Sequence, residues 1–134
     1  MAGNTVPIFP AAVLVGVASL VSAAPITSRA DIVGTAGLVK LTDPVTNAGG
    51  RVDAIRVKCK ATSVAGLIGI WLYDGTTSRL IDEIPVSAVT ASATVDSFAV
   101  ERPYSNWNLA PNQQLYVSET VANDANVLAF GGAY

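Results

Sequence analysis

Hydrophobic and polar positions alternate most regularly between Arg51 and Val86, and the rest of the chain is read outward from that stretch. Ile55, Val57, Cys59 and Ala61 occupy every second position while Arg56, Lys58 and Lys60 fill the gaps, the period-two signature of a strand with one buried and one polar face. Leu67 to Tyr73 is apolar in both phases, with Ile68, Ile70 and Leu72 opposing Trp71 and Tyr73, which predicts a strand in the middle of a sheet covered on both sides. Asp74-Gly75 followed by Thr76, Thr77 and Ser78 supplies a hairpin turn, after which Arg79 to Ile84 runs back. Pro85 has no N–H to give a ladder, so it ends that strand or places it at an edge.

The flanks read as further β-structure. Ile8 to Ala24 imitates a secretory leader, but no Lys or Arg precedes Arg29 and Pro7 and Pro10 break its start. It is read instead as an extended arm over residues 1–12 and a strand over Val13 to Val21, with Val13, Val15 and Val17 alternating with smaller residues. Ala24 to Thr35 has loop composition, Gly37 to Thr42 is a short strand, and Asp43-Pro44 to Gly49-Gly50 is a turn. Ser87 to Ala93 suits a connection across the end of a sandwich, Thr94 to Glu101 alternates as a strand, and Arg102 to Gln114 is read as the longest irregular region. Leu115 to Glu119 and Asn126 to Phe130 are expected to close the sheet as a last antiparallel pair. The expectation is one all-β domain over residues 13–134, a jelly-roll-like sandwich of about eight antiparallel strands with an extended N-terminal arm.

Composition adds a surface problem. Of 134 residues, 51% are hydrophobic and only 13% charged, and the mean hydropathy is +0.46, so too few charges are available to cover a monomer. Burial of part of that surface against copies of the chain or another protein is the simplest remedy. A net charge of −2 and an isoelectric point near 4.8 give no drive toward nucleic acid or an anionic membrane, and neither is expected as a partner. Cys59, the single cysteine, falls in the apolar phase of its strand and reads as a small buried hydrophobe.

Catalytic chemistry is sparse. The chain has no histidine, which removes Ser-His-Asp and Cys-His systems and the commonest transition-metal ligand. Asp82 and Glu83 are strand neighbours that point to opposite faces, so they cannot share one site and are read as solvated edge charges. Asp74 and Asp124 sit in turns without a calcium-loop pattern, and Gly131-Gly132 lacks the context of a phosphate loop. No enzymatic activity, cofactor or metal is expected. Arg56, Lys58 and Lys60 could dock an acidic surface or form a solvated face that discourages edge aggregation. Trp71 and Tyr73 are read as core, whereas Tyr104 and Trp107, placed in the long loop, suit either an exposed contact site such as a sugar-stacking platform or a lid over the core end.

The order of short motifs carries a resemblance. Asn4-Thr5-Val6-Pro7-Ile8-Phe9-Pro10, Ala48-Gly49-Gly50-Arg51-Val52-Asp53-Ala54-Ile55-Arg56-Val57, Tyr73-Asp74-Gly75, Asp82-Glu83-Ile84-Pro85-Val86, Leu109-Ala110-Pro111 to Leu115, and Ala129-Phe130-Gly131-Gly132-Ala133-Tyr134 together span nearly the whole chain. In that order they resemble a family of small tailed-bacteriophage virion structural proteins. The resemblance implies a decoration or cement protein on the capsid exterior, a homo-oligomer (a trimer) bound to the major capsid protein. On that reading, Ile8 and Phe9 are expected as arm contacts and Arg56, Lys58 and Lys60 as a capsid-facing stripe. A tail, collar or head-fibre component and a carbohydrate-binding module using Tyr104 and Trp107 are the alternatives.

Overall fold

The computed structural model describes residues 12–20, 24–43 and 49–133. These form two antiparallel sheets and no helix: β1 (Ala12–Ser19), β2 (Ile32–Val33), β3 (Val39–Lys40), β4 (Gly50–Cys59), β5 (Gly66–Tyr73), β6 (Thr77–Val86), β7 (Ala99–Leu109), β8 (Gln114–Glu119) and β9 (Ala125–Ala133). One sheet has the order β1-β9-β4-β7 and the other β2-β6-β5-β8-β3, and the core lies between them, a β-sandwich.

The alternation in β4 holds. Ile55, Val57 and Cys59 are buried against the opposite sheet, Arg56 is exposed and Lys58 half-buried on the outer face. Ala61 lies beyond the strand end and is exposed, so the apolar phase stops at Cys59. β5 is central in its sheet, as its double-sided apolarity predicts. Ile68 and Ile70 face the core, while Trp71 is buried on the other face beside the Ile26–Arg29 segment and donates its indole N–H to Ser118 Oγ at 2.8 Å. Gly69 makes room for that ring: a Cβ there would sit 3.0 Å from the indole nitrogen and 2.7 Å from Ser118 Oγ.

Between β5 and β6, Asp74 Oδ1 accepts from the backbone N–H groups of Thr76 and Thr77 and from the Thr76 hydroxyl, and Gly75 takes φ +102°. Those bonds to the Thr77 and Thr76 amides hold the Asp74 carboxyl well below its ordinary pKa. Pro85 sits within β6, where β5 is the one paired strand among the described residues because β2 covers just Thr77 and Ser78. It therefore occupies a locally open edge.

Several expectations are corrected. Nine strands are described where about eight are expected, the addition being Ile32–Val33, which pairs briefly with β6 inside the stretch read as a loop. Gly37 to Thr42 contracts to Val39–Lys40, and the strand expected from Thr94 starts at Ala99. It then continues through Arg102 to Leu109, the stretch read as irregular. β8 and β9 are not a pair: one joins β5 and the other joins β1 and β4 in the opposite sheet. Asn123 holds the crossing between them, bonding both backbone groups of Val64 while its own N–H donates to Glu119 Oε2.

In β1 the larger valines are outside. Leu14, Ala18 and Leu20 are buried, while Val15 and Val17 are 57% and 65% exposed. Gly16 decides the orientation, since its inward side meets the Leu41 carbonyl so closely that a Cβ would lie 2.0 Å from that oxygen.

Candidate functional site

Cross-strand register defines the outer face of the four-stranded sheet, because directly opposed residues share a face. Val15, Phe130, Ala54 and Pro103 form one row, and Val17, Leu128, Arg56 and Glu101 the next. Ser19, Asn126, Lys58 and Ala99 follow. The β1–β9 side of this face is thus apolar and the β4–β7 side charged.

The cationic stripe is divided in its duties. Lys58 Nζ donates to the Ser97 carbonyl at 3.1 Å and Lys60 Nζ to Ser19 Oγ at 2.8 Å, which leaves Arg56, opposite Glu101, as the member with no hydrogen bond or ion pair among the described residues. Since β4 lies between β9 and β7, these cations do not guard an edge. Lys60 lies past the end of β4. Ile8 and Phe9 fall outside the described residues.

The edges themselves are unequal. β2 and β3, which flank the five-stranded sheet, are two residues each, and the rest of the β6 edge carries Arg79, Asp82, Glu83, Pro85 and a bulge, devices that discourage an incoming chain. β7 carries Glu101, Arg102, Pro103 and a bulge, all devices that blunt an edge. β1 has eight residues in unbroken register with β9, no charge, no proline and no bulge, and no strand on its other side among the described residues. Among the described residues β1 is therefore the long edge without such a device, and it borders the apolar half of the outer face.

A second feature lies at the opposite edge, where two irregularities face each other. In β6, Ile70 pairs with Asp82 but Trp71 with Leu80, so Ile81 is an extra residue and Asp82 is turned toward the inter-sheet space. In β7, Ala54 pairs with Pro103 and Val52 with Trp107, so Tyr104 to Asn106 oppose Asp53 alone, and Asn106 takes the left-handed φ of +56°. Tyr104 and Trp107, three apart and destined for opposite faces of a regular strand, both turn inward. Their rings meet edge to face with centroids 4.5 Å apart. They line a groove of about 350 Å³ with Leu72, Ile81 and Asp82.

Asp82 ties the two sheets together there. Its Oδ2 accepts from the Tyr104 hydroxyl at 2.6 Å and its Oδ1 from Arg102 Nη1 at 2.9 Å and the Glu83 N–H at 2.8 Å, while Arg102 also donates to the Glu83 carbonyl. Burial pushes the Asp82 pKa up, but the donors from Tyr104, Glu83 and Arg102 outweigh it and hold the carboxyl below its usual range. Burial, then the Asp82 hydrogen bond, drives the Tyr104 phenol far upward. The two neighbouring carboxylates do point to opposite faces, but Asp82 is held between the sheets rather than solvated, while Glu83, an edge charge on the outer face, holds Arg29 through Oε1 and at 3.0 Å through Oε2. Periodicity could not have identified Ile81, Asp82 and Arg102 as partners of Tyr104 and Trp107, because a bulge is invisible to it. Pro103 and Asn106, residues suited to irregular backbone, were the available signal.

The other cavity, under the Ile26–Arg29 segment beside Trp71, is about 20 Å³ and has room for little more than a water molecule. No protein-family model, curated protein or solved structure matches the chain.

Proposed function

We propose that the protein is a non-enzymatic virion component of a tailed bacteriophage, a decoration protein that binds the major capsid protein on the capsid exterior as a homo-oligomer. Its sandwich would be of jelly-roll type. The observation that carries the reading is the eight-residue β1, an uncharged edge with no strand on its outer side among the described residues, beside the exposed Val15 and Val17. Such an edge is an aggregation hazard in a free monomer and an asset in a protein that functions only in assembled form. The near-complete run of motifs from Asn4 to Tyr134 supports the same assignment.

The mechanism is mass action. A protein that docks across joints between capsid subunits binds a surface present only in the assembled shell, and so stabilises that shell by the free energy of docking. Apolar contacts from Val15, Val17, Leu128 and Phe130 would supply affinity between copies, while Arg56 beside them orients the encounter with acidic partner surface. The trimer remains the oligomer of choice.

Val17→Lys places a charge at the centre of the β1 outer face without touching the core. The expected result is a monomer by sedimentation velocity that folds normally and no longer co-sediments with capsids. Unchanged assembly and capsid occupancy would remove β1 from the mechanism. A tail or head-fibre position would show instead as binding to tails and none to empty heads.

A further inference from the structure

The groove between β6 and β7 is remote in the fold from β1, which lies at the far side of the four-stranded sheet from β7. Two separate ladder irregularities, Ile81 in β6 and Tyr104 to Asn106 in β7, are needed to bring its lining together. Bulges re-aim side chains and cluster beside functional sites, and the one in β7 is completed by Asn106, a residue that accepts the left-handed φ of +56° found there. A sandwich that needed only a closed edge could have had a regular strand there.

The geometry points to an uncharged saccharide as the occupant. The groove presents the aromatic pair Tyr104 and Trp107, the apolar Leu72 and Ile81, and the carboxylate of Asp82. Aromatic faces carry negative potential and attract the weakly positive C–H face of a pyranose ring. Asp82 accepts three hydrogen bonds within the protein, one fewer than a carboxylate's lone-pair capacity of about four, so one acceptor position is left for a ligand hydroxyl. Arg102 neutralises the Asp82 charge, which leaves the site without a net field for an anionic or cationic ligand. A purely apolar ligand would desolvate the carboxylate without replacing its water. At about 350 Å³ the groove is at the small end of ligand sites, enough for about one to two pyranose rings.

This inference is independent of a capsid location, and its test leaves β1 intact. The full-length protein is applied to an array of neutral and acidic glycans of bacterial and animal origin, and the free disaccharide matching the strongest signal is titrated by tryptophan fluorescence. Trp71 is almost fully buried, so Trp107 reports the groove. Ile81→Arg fills the groove from an exposed position and should preserve the fold, as circular dichroism would verify. The expected result is binding to neutral glycans, a change in emission that Trp107→Phe abolishes, and at least about a tenfold loss of affinity in Ile81→Arg. A blank array, binding confined to charged glycans, or affinity unchanged in Ile81→Arg would each overturn it.

Discussion

Gly131→Ala should be among the most damaging single-methyl substitutions in the chain. Gly131 lies in β9 opposite Val52 of β4 and Leu14 of β1, so it is bracketed by ladders on both sides. A Cβ built there would stand 1.8 Å from the Arg51 carbonyl oxygen, 2.8 Å from its carbon and 3.1 Å from Val52 Cα. The first distance is more than an ångström inside the closest approach side chains make, and every atom it meets is backbone that cannot rotate away. Relief requires β9 to lift from β4 at the point where the register already shifts between Val52 and Ala54. Overpacking costs roughly 1–3 kcal/mol, and the one or two ladder bonds opened add about 1 kcal/mol each, so the expected loss is about 2–5 kcal/mol. Against a total of roughly 5–15 kcal/mol for an ordinary domain, that is a large fraction. With a urea m-value of about 2 kcal/mol/M, the unfolding midpoint should fall by about 1–2.5 M. The comparison is made at one protein concentration, because assembly moves the midpoint. Gly66→Ala is the control: its Cβ would meet only side chains, Thr120 and Val121, at 3.3 Å, and should cost less than about 1 kcal/mol. A Gly131→Ala loss as small as the control's would refute the close approach of β9 to β4.

Two further outcomes follow from the electrostatics. Glu119 is buried with no partner for Oε1 among the described residues, and burial raises its pKa, with Asp124 adding to the rise against the opposing Asn123 N–H bond. The folded state therefore holds this proton more tightly than the unfolded chain does. The resulting stability is complete below the unfolded pKa of about 4.3 and is lost as pH rises through the folded value, so urea titrations at several pH values should show a downward slope that Glu119→Gln removes. Tyr104→Phe deletes the phenol that bonds Asp82 Oδ2 and should cost about 1 kcal/mol at neutral pH after allowance for partial exposure. Because the Asp82 pKa is depressed, that cost should be present above about pH 4 and shrink as pH falls through the folded value, measurable as converging midpoints of the two proteins in acid.

The parts of the fold legible in the sequence are those set by local chemistry. Asp74-Gly75 specifies the β5–β6 hairpin through bonds its own side chain makes, and the strict alternation from Ile55 to Cys59 assigns both faces of β4. Partner choice is not local. β8 and β9 read as a hairpin because their patterns are compatible, yet the Asn123 anchor to Val64 carries the chain from one sheet to the other. In β1 both phases are apolar, and the face that turns inward is selected by the fit of Gly16 against the Leu41 carbonyl, a contact between strands distant in order. The groove was half legible. Tyr104 and Trp107 are conspicuous aromatics, but their convergence depends on extra residues in β7, and the turning of Asp82 depends on one in β6. The motifs behind the phage resemblance also have a packing reason, since Arg51-Val52 lies directly against Gly131-Gly132.

The most direct test of the decoration role is the copy number of this protein in purified virions, counted against the major capsid protein by quantitative mass spectrometry. A lattice-wide decoration protein predicts a ratio near the number of capsid subunits or a fixed large fraction of it. A handful of copies would place the protein at the tail or a unique vertex, and its absence from the particle would contradict the account.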